Sequence, residues 1–241
     1  MNRIKFVIAR YENDRYQQFL KTSIDDVPND FIKVHVPNDS VVPHGLNEKY
    51  NLGTQLLMEN GGIQDNDIVC FCHADVKILD THFQEKLLYA FDNLDIGVAG
   101  VIGTTKLEES GGWWHGDKVH HRGHIVQWID DKEENKYHMV RSIGNYTNMV
   151  VVDGMCLFVR GSLLKNQPFD STTYVGAYDF YDYDYCLTAL STGNKVAVLD
   201  ILLEHGSAGT GVFKDSWSTN REIFLKKWAS RGVGFPITSK A

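Results

Sequence analysis

The run from Ile68 to Cys72 (Ile-Val-Cys-Phe-Cys) is apolar at every position, and it stops at His73-Ala74-Asp75. A short, uninterrupted apolar run bounded by polar residues reads as a strand buried on both faces. Strands of that kind belong to parallel sheets covered by helices. In open α/β sheets, ligands gather at the carboxyl ends of the strands. His73 and Asp75 are two residues apart, so both project to the same side of an extended chain. There they could face one hard cation. Asp75 suits equally the cap of a helix spanning about 80–93. The spacing alone fits both readings.

The order of elements around this run supports an α/β fold. Ile4 to Ala9 reads as a strand. After a polar break, Tyr16, Phe19, Leu20 and Ile24 follow at helical spacing. Ile32 to Val36 is a second strand, closed by Pro37-Asn38-Asp39-Ser40, which reads as a turn. Leu46 to Glu59 is a helix with Tyr50, Leu56 and Leu57 on its apolar side. A helix carrying Phe83, Leu87, Leu88 and Phe91 follows the Cys70 strand, and Ile96 to Ile102 is a fourth buried strand. This alternation predicts a mostly parallel central sheet with helices on both faces.

Residues 104–148 lack sustained periodicity; a stretch this long is expected to be functional or to carry irregular strands. Met149 to Val159 returns as a strand interrupted by Asp153-Gly154. Tyr178 to Ser191 reads as a helix, and Val196 to Leu203 as a last strand ending in Glu204-His205-Gly206-Ser207. An amphipathic helix with Ile223, Phe224, Leu225 and Trp228 closes the chain.

Composition excludes several classes. A net charge of −7 from 24 basic and 31 acidic residues, with no basic cluster, argues against nucleic-acid binding. No apolar run approaches the length needed to cross a bilayer. Phe6 to Ala9 is too short for a signal peptide, so a cytoplasmic protein is expected. Cys70, Cys72, Cys156 and Cys186 fall in expected strands or a helix and read as buried free thiols of a reducing compartment. A thiolate metal site normally needs two cysteine pairs, so Cys70 and Cys72 alone are a weak candidate. His115, His120, His121 and His124 read as solvated loop residues.

Two further patterns carry chemistry. Asp179, Asp182 and Asp184 lie among Tyr178, Tyr181, Tyr183 and Tyr185. On a helix, Asp179 and Asp182 share a face and Asp184 does not share one with Asp182. A carboxylate ringed by aromatics is partly desolvated, which raises its pKa and suits it to act as a general base. The plainer reading is a helix start, with acids placed by the macrodipole. Trp113-Trp114, in a glycine-flanked loop, suits stacking against the apolar face of a sugar, or anchoring of the loop by burial.

Taken in order, these segments resemble the family 2 glycosyltransferases, whose fold is the nucleotide-diphospho-sugar transferase (GT-A) fold. The likeness spans roughly residues 1–210. It is carried by Ala9-Arg10-Tyr11, Lys49-Tyr50-Asn51, Phe71-Cys72-His73-Ala74-Asp75-Val76 and the glycine-spaced Gly97 to Gly103. Val152-Asp153-Gly154, Phe158-Val159-Arg160, Tyr181-Asp182-Tyr183-Asp184-Tyr185-Cys186-Leu187 and His205-Gly206-Ser207 complete it. It is closest to a subgroup whose metal motif reads His-x-Asp. Two positions depart from the family pattern: His73 stands for an aspartate, and Tyr181 for the glutamate before the base.

The resemblance implies one GT-A-like domain over 1–241. Residues 1–103 would form a nucleotide-binding half, 104–210 an acceptor-side half and 211–241 a helical extension. It implies an inverting, metal-dependent transfer of a sugar from a nucleotide-diphospho-sugar to an acceptor hydroxyl. Asp182 is the expected base. Asp75 and His205 are the expected ligands of a divalent cation, with His73 as a third ligand or a phosphate contact, and Mn²⁺ is favoured over Mg²⁺ because histidine takes part. Ala9, Arg10, Tyr11, Asp39 and Asn51 are expected at the nucleotide, with Arg10 on a phosphate and Asp39 on the uracil or ribose. Asp153 and Gly154 are expected at the donor sugar or acceptor, and Trp113 and Trp114 at the acceptor. A UDP-sugar and a carbohydrate or lipid-linked acceptor are the expected partners, with peripheral recruitment to membrane glycan assembly. The competing reading is a non-catalytic sugar-nucleotide-binding or scaffold protein of the same fold. A nucleotidyltransferase would carry a basic, glycine-rich loop where Ala9-Arg10-Tyr11-Glu12 stands.

Overall fold

A computed structural model describes residues 3–9, 18–24, 32–36, 45–129, 132–174, 178–206 and 215–239. In chain order the elements begin with β1 (Ile4–Ala9), α1 (Leu20–Ile24), β2 (Ile32–Val36), α2 (Leu46–Glu59), β3 (Ile68–His73), β4 (Val76–Ile78) and α3 (Phe83–Asn93). Next come β5 (Ile96–Gly100), β6 (Ile102–Thr104), β7 (Lys106–Leu107), β8 (His121–Ile129), β9 (Lys132–Ser142), β10 (Val151–Val152), β11 (Cys156–Arg160) and α4 (Gly161–Asn166). The chain continues through α5 (Tyr181–Ser191), β12 (Lys195–Val198), β13 (Leu203–His205), α6 (Asp215–Ser230) and β14 (Ile237–Thr238).

The main sheet has six strands in the order β12-β5-β11-β3-β1-β2. β1, β2 and β3 run parallel, as do β5 and β12; β11 alone is antiparallel to its neighbours. Register separates its two faces. Phe6 lies beside Cys70, which in turn lies beside Phe158, while Val7 lies beside Phe71. Phe83 of α3 packs on Phe6 and Phe158, at ring distances of 6.2 and 5.8 Å. Phe71, on the other face, meets Tyr50 of α2 and Phe169, each at 4.9 Å, and Tyr185 of α5 stacks on Phe169 at 4.2 Å. Helices therefore cover both faces, and that burial accounts for the all-apolar strands. All four cysteines are buried and free.

A second sheet, β10-β6-β8-β13-β4 with β9 paired to β8, stands at the carboxyl edge of the first. Several expected boundaries move because of it. The strand expected over Ile96–Ile102 divides at Val101: β5 stays in the main sheet and β6 joins the second. Val196–Leu203 divides in the same way into β12 and β13. The stretch 104–148 holds a long antiparallel hairpin, β8–β9. His121 and His124, expected in solvated loop, are buried within β8. Helix α5 starts at Tyr181, not Tyr178, because Phe180 takes a left-handed backbone with φ 63°. A non-glycine residue in that region cannot continue a helix backwards.

Helix α6 is tied to α5 through a buried polar cluster. The Asp184 carboxylate accepts from Lys227 Nζ at 2.7 Å, Trp228 Nε1 at 2.8 Å and the Tyr174 hydroxyl at 3.2 Å. Lys227 also donates to Asp170 at 2.7 Å. Burial works to raise Asp170, but donation from Lys227, Thr172 and Thr173 outweighs it and holds that carboxyl well below the usual range. Asp184→Asn keeps the shape and loses one charge partner of Lys227. It is expected to lower unfolding free energy by about 1–3 kcal/mol, read by urea melts.

Candidate functional site

The site grows from the carboxyl edge of β3. His73 closes that strand beside Ala9, the last residue of β1. Its amide donates to Met155 O at 3.0 Å, which draws the 153–155 turn across the strand end. The chain turns at Ala74-Asp75 and enters β4. There Val76 pairs with His205 of β13, and Gly206 N–H donates to Asp75 O at 2.8 Å. Strand pairing thus brings His205 to the carboxylate, although 130 residues separate them in the chain.

His73, Asp75 and His205 offer ligand atoms that all lie within 4.8 Å of one another. His205 Nε2 stands 3.7 Å from Asp75 Oδ1, too far for a hydrogen bond. Two ligands of one small divalent ion sit roughly 3–3.5 Å apart, so the gap suits a shared cation. Gln127 of β8 meets His205 Nδ1 through Oε1 at 3.3 Å. An imidazole that donates from Nδ1 keeps its Nε2 lone pair for a ligand. His73 Nε2 meets the Tyr181 hydroxyl at 2.8 Å, and the two histidine rings are 5.9 Å apart. Burial lowers the pKa of His73, and His205 lowers it further against the pull of Asp75 and Asp153. The ring is therefore held neutral, the form that binds metal.

Beside this cluster runs a cleft of about 440 Å³. His73 and His205 reach it, as do Asp153, Gly154, Tyr181 and Asp182. Asp182 lies in the first turn of α5 and keeps part of its surface open to the cleft. Burial pushes its carboxyl well above the usual carboxylate range, and the nearby Asp153 adds to the push. One Asp182 oxygen accepts from Tyr183 N–H at 2.9 Å. Gly154 admits Tyr181: a Cβ at 154 would stand 2.2 Å from the Tyr181 hydroxyl and 2.8 Å from Asp182 Cβ. Asp153 is fixed by Trp113 Nε1–H at 2.7 Å and by Met155 N–H at 3.0 Å.

The expected site residues divide by position. His73, Asp75, His205, Asp153, Gly154 and Asp182 converge, with Ala9 at the adjoining strand end. Both tryptophans line the cleft: Trp113 is 5 % exposed, its amide donating to the Tyr183 hydroxyl at 2.9 Å, and Trp114 is 36 % exposed. Asn51 does not reach the cleft. Its amide clamps the backbone of Phe169 in both directions, at 2.8 and 3.0 Å. Arg10, Tyr11 and Asp39 lie outside the described residues. Sequence reading missed Gln127, Tyr137, Met139 and Trp217, which also line the cleft. The only signal for the hairpin pair is the two-residue spacing of Tyr137 and Met139 inside a polar strand.

The model of a family described as "Glycosyltransferase like family" matches residues 59–228. The chain belongs to that glycosyltransferase-like family. No curated protein sequence matches it. Among solved structures, GalNAc-T7 with UDP, GalNAc and Mn²⁺ superposes with a TM-score of 0.55 at 9 % identity, over 95 % of this chain and 51 % of the other. The mannosyltransferase PcManGT from Pyrobaculum calidifontis, in complex with GDP-Man and Mn²⁺, gives 0.50 at 10 % identity, over 98 % and 66 %. S. aureus TarS gives 0.50 at 12 % identity, over 84 % and 60 %. At these identities the likeness establishes the GT-A fold, and the family member spans half to two thirds of those longer chains. Among its described residues, no helix is long and apolar enough to cross a membrane.

Proposed function

We propose that the protein is an inverting glycosyltransferase, moving a sugar from a nucleotide-diphospho-sugar to an acceptor hydroxyl with help from a divalent cation. The observation that carries this reading is a single cleft that joins a carboxylate of raised pKa, Asp182, to the His73–Asp75–His205 cluster. Asp182 takes the proton from the acceptor oxygen as that oxygen attacks the anomeric carbon. Asp75, His205 and His73 are the residues that would hold the cation. When bound, the cation neutralises charge developing on the leaving diphosphate. Two imidazoles beside one carboxylate favour Mn²⁺ over Mg²⁺. Asp153 and Gly154 border the donor sugar.

The two departures from the family pattern support an intact site, because they touch. His73 and Tyr181 bond to each other, and Gly154 clears the space that the phenol fills. Three matched positions read as one adapted arrangement, where simple decay of a scaffold protein would leave them unrelated.

The test is a thermal melt with UDP and Mn²⁺, each alone and together, with GDP as the second base. UDP-sugars are the first donors to try. A ligand that binds only the folded state adds about 2.7 kcal/mol at one hundred times its Kd, so the pair should raise Tm by several degrees and UDP alone by little. Release of UDP from a UDP-sugar then separates enzyme from binding protein. Nucleotide binding without any turnover would support the scaffold reading instead.

A further inference from the structure

A second pair of imidazoles lies on the β8–β9 hairpin, on the face turned away from the cleft. Side chains alternate between faces along a strand. Gln127, Tyr137 and Met139 line the cleft, so His124 and His138 point the other way. His124 pairs with Val140 and His138 with Val126, which makes the two histidines diagonal neighbours, near enough for long side chains to meet. His124 Nδ1 stands 3.2 Å from His138 Nε2. His124 is buried, and His138 is open to water.

The other nitrogen of His124 faces a carboxylate. Nε2 lies 3.0 Å from Asp200 Oδ1, in the crossover between β12 and β13; the contact is short but oblique. A lone pair there would face an anionic oxygen, so Nε2 carries the ring proton and Nδ1 keeps its lone pair. Burial lowers the pKa of His124 against the pull of Asp200, and His138 and Lys86 lower it further, so the ring is neutral. Lys86 is engaged elsewhere: its Nζ donates to Asp80 at 2.6 Å and to Asp200 O at 2.8 Å, and stays 4.0 Å from Asp200 Oδ2. A carboxylate behind a neutral imidazole is the usual support of a metal-binding histidine.

We infer a second metal site here: His124 Nδ1 and His138 Nε2 bind one borderline divalent ion of the zinc type, and Asp200 orients His124. Two nitrogens on a tetrahedral zinc, each about 2.0–2.1 Å from it, stand roughly 3.3 Å apart, close to the separation these rings already have. Without metal, His138 Nε2–H donates across the gap. The metal takes the place of that proton, which passes through water to His138 Nδ1, so the ring stays neutral. Water completes the coordination on the exposed side. A pair of imidazoles suits zinc, copper or nickel rather than Mg²⁺ or Mn²⁺, which seek oxygen. The ion therefore differs from the one assigned to Asp75, and the site does not depend on the glycosyltransferase reading. Bound metal ties β8 to β9 and, through Asp200, to the segment that leads into β13 and His205.

Zinc calorimetry on the full chain, joined to ¹⁵N NMR of the histidine rings, tests this. Asp75→Ala serves as the background, because it disables the other cluster. Zinc should still bind there, and the ring nitrogens that shift should be His124 Nδ1 and His138 Nε2. Adding Asp200→Asn should weaken zinc roughly tenfold while the His124 Nδ1 shift persists at saturating zinc, which a merely disordered crossover would not allow. Adding His138→Ala, on an exposed strand, should weaken zinc further still and leave the metal-free melt unchanged. Adding His82→Ala, an exposed histidine of α3, should change nothing. Excess Mg²⁺ should not compete. In the otherwise unaltered chain, His138→Ala should keep Mn²⁺-dependent UDP binding, so the two metal sites are read separately. Three results would overturn the inference: no zinc binding in the Asp75→Ala background, equal zinc affinity with and without His138, or zinc shifts confined to other histidines.

Discussion

Asp182→Asn is expected to reduce sugar transfer by roughly two to four orders of magnitude, the usual worth of a general base, while the protein stays folded and still binds donor and cation. The change is nearly isosteric, and Asp182 does not belong to the His73–Asp75–His205 cluster. Stability should follow an informative course with pH. Burial, with Asp153 nearby, raises the folded carboxyl above its unfolded value of about 3.9. Between those two values the folded state binds more protons than the unfolded state. Stability therefore falls as pH rises through that window, and the ionised carboxylate remains a cost above it. Asn carries no such cost. The variant should melt at or above the unaltered protein at neutral pH, and the difference should close below about pH 4.

The rate should mirror this. Transfer by the unaltered chain should rise with pH as Asp182 loses its proton, and the Asn variant should lack that limb. Initial rates at saturating donor, with melts over the same pH series, provide the check. Ordinary rates in Asp182→Asn would sink the mechanism. An inactive Asp184→Asn beside an active Asp182→Asn would move the base by two residues, against the burial of Asp184 under Lys227 and Trp228.

Much of this site is readable in the sequence, for definite physical reasons. β3 is buried on both faces, so its composition is nearly all apolar and its end is marked by the first polar residues, His73 and Asp75. His205 is similarly announced by the buried strand before it. The second sheet is hidden for the opposite reason. β9 is largely exposed and, among the described residues, paired on one side only, so Lys132-Glu133-Glu134-Asn135-Lys136 has no apolar alternation to display. The breaks at Val101 and Leu199–Leu202 are hidden because both sides stay apolar where the chain passes from one buried sheet to the other. Tertiary geometry supplies what spacing cannot. Nothing local tells that Asn51 clamps the Phe169 turn, that Gln127 orients His205, or that Gly154 exists to admit the Tyr181 hydroxyl.

Asp75→Ala should abolish Mn²⁺-dependent nucleotide binding and leave the fold intact. Asp75 contributes the only carboxylate of the three-residue cluster, and a hard divalent cation draws most of its binding from anionic oxygen. Its backbone carbonyl, which holds Gly206, is untouched by the substitution, so the β4–β13 junction should survive. His205→Ala removes a neutral donor and should weaken the same binding less, leaving Asp75 and His73 in place. Gln127→Ala should act in the same direction as His205→Ala and more weakly still, because it frees the ring without removing it. Calorimetric titration of UDP at fixed Mn²⁺, with EDTA-treated protein as reference, ranks the three variants. An Asp75→Ala protein with unchanged UDP affinity would take the cation away from this cluster, and a His205→Ala loss larger than that of Asp75→Ala would make the imidazole the principal ligand.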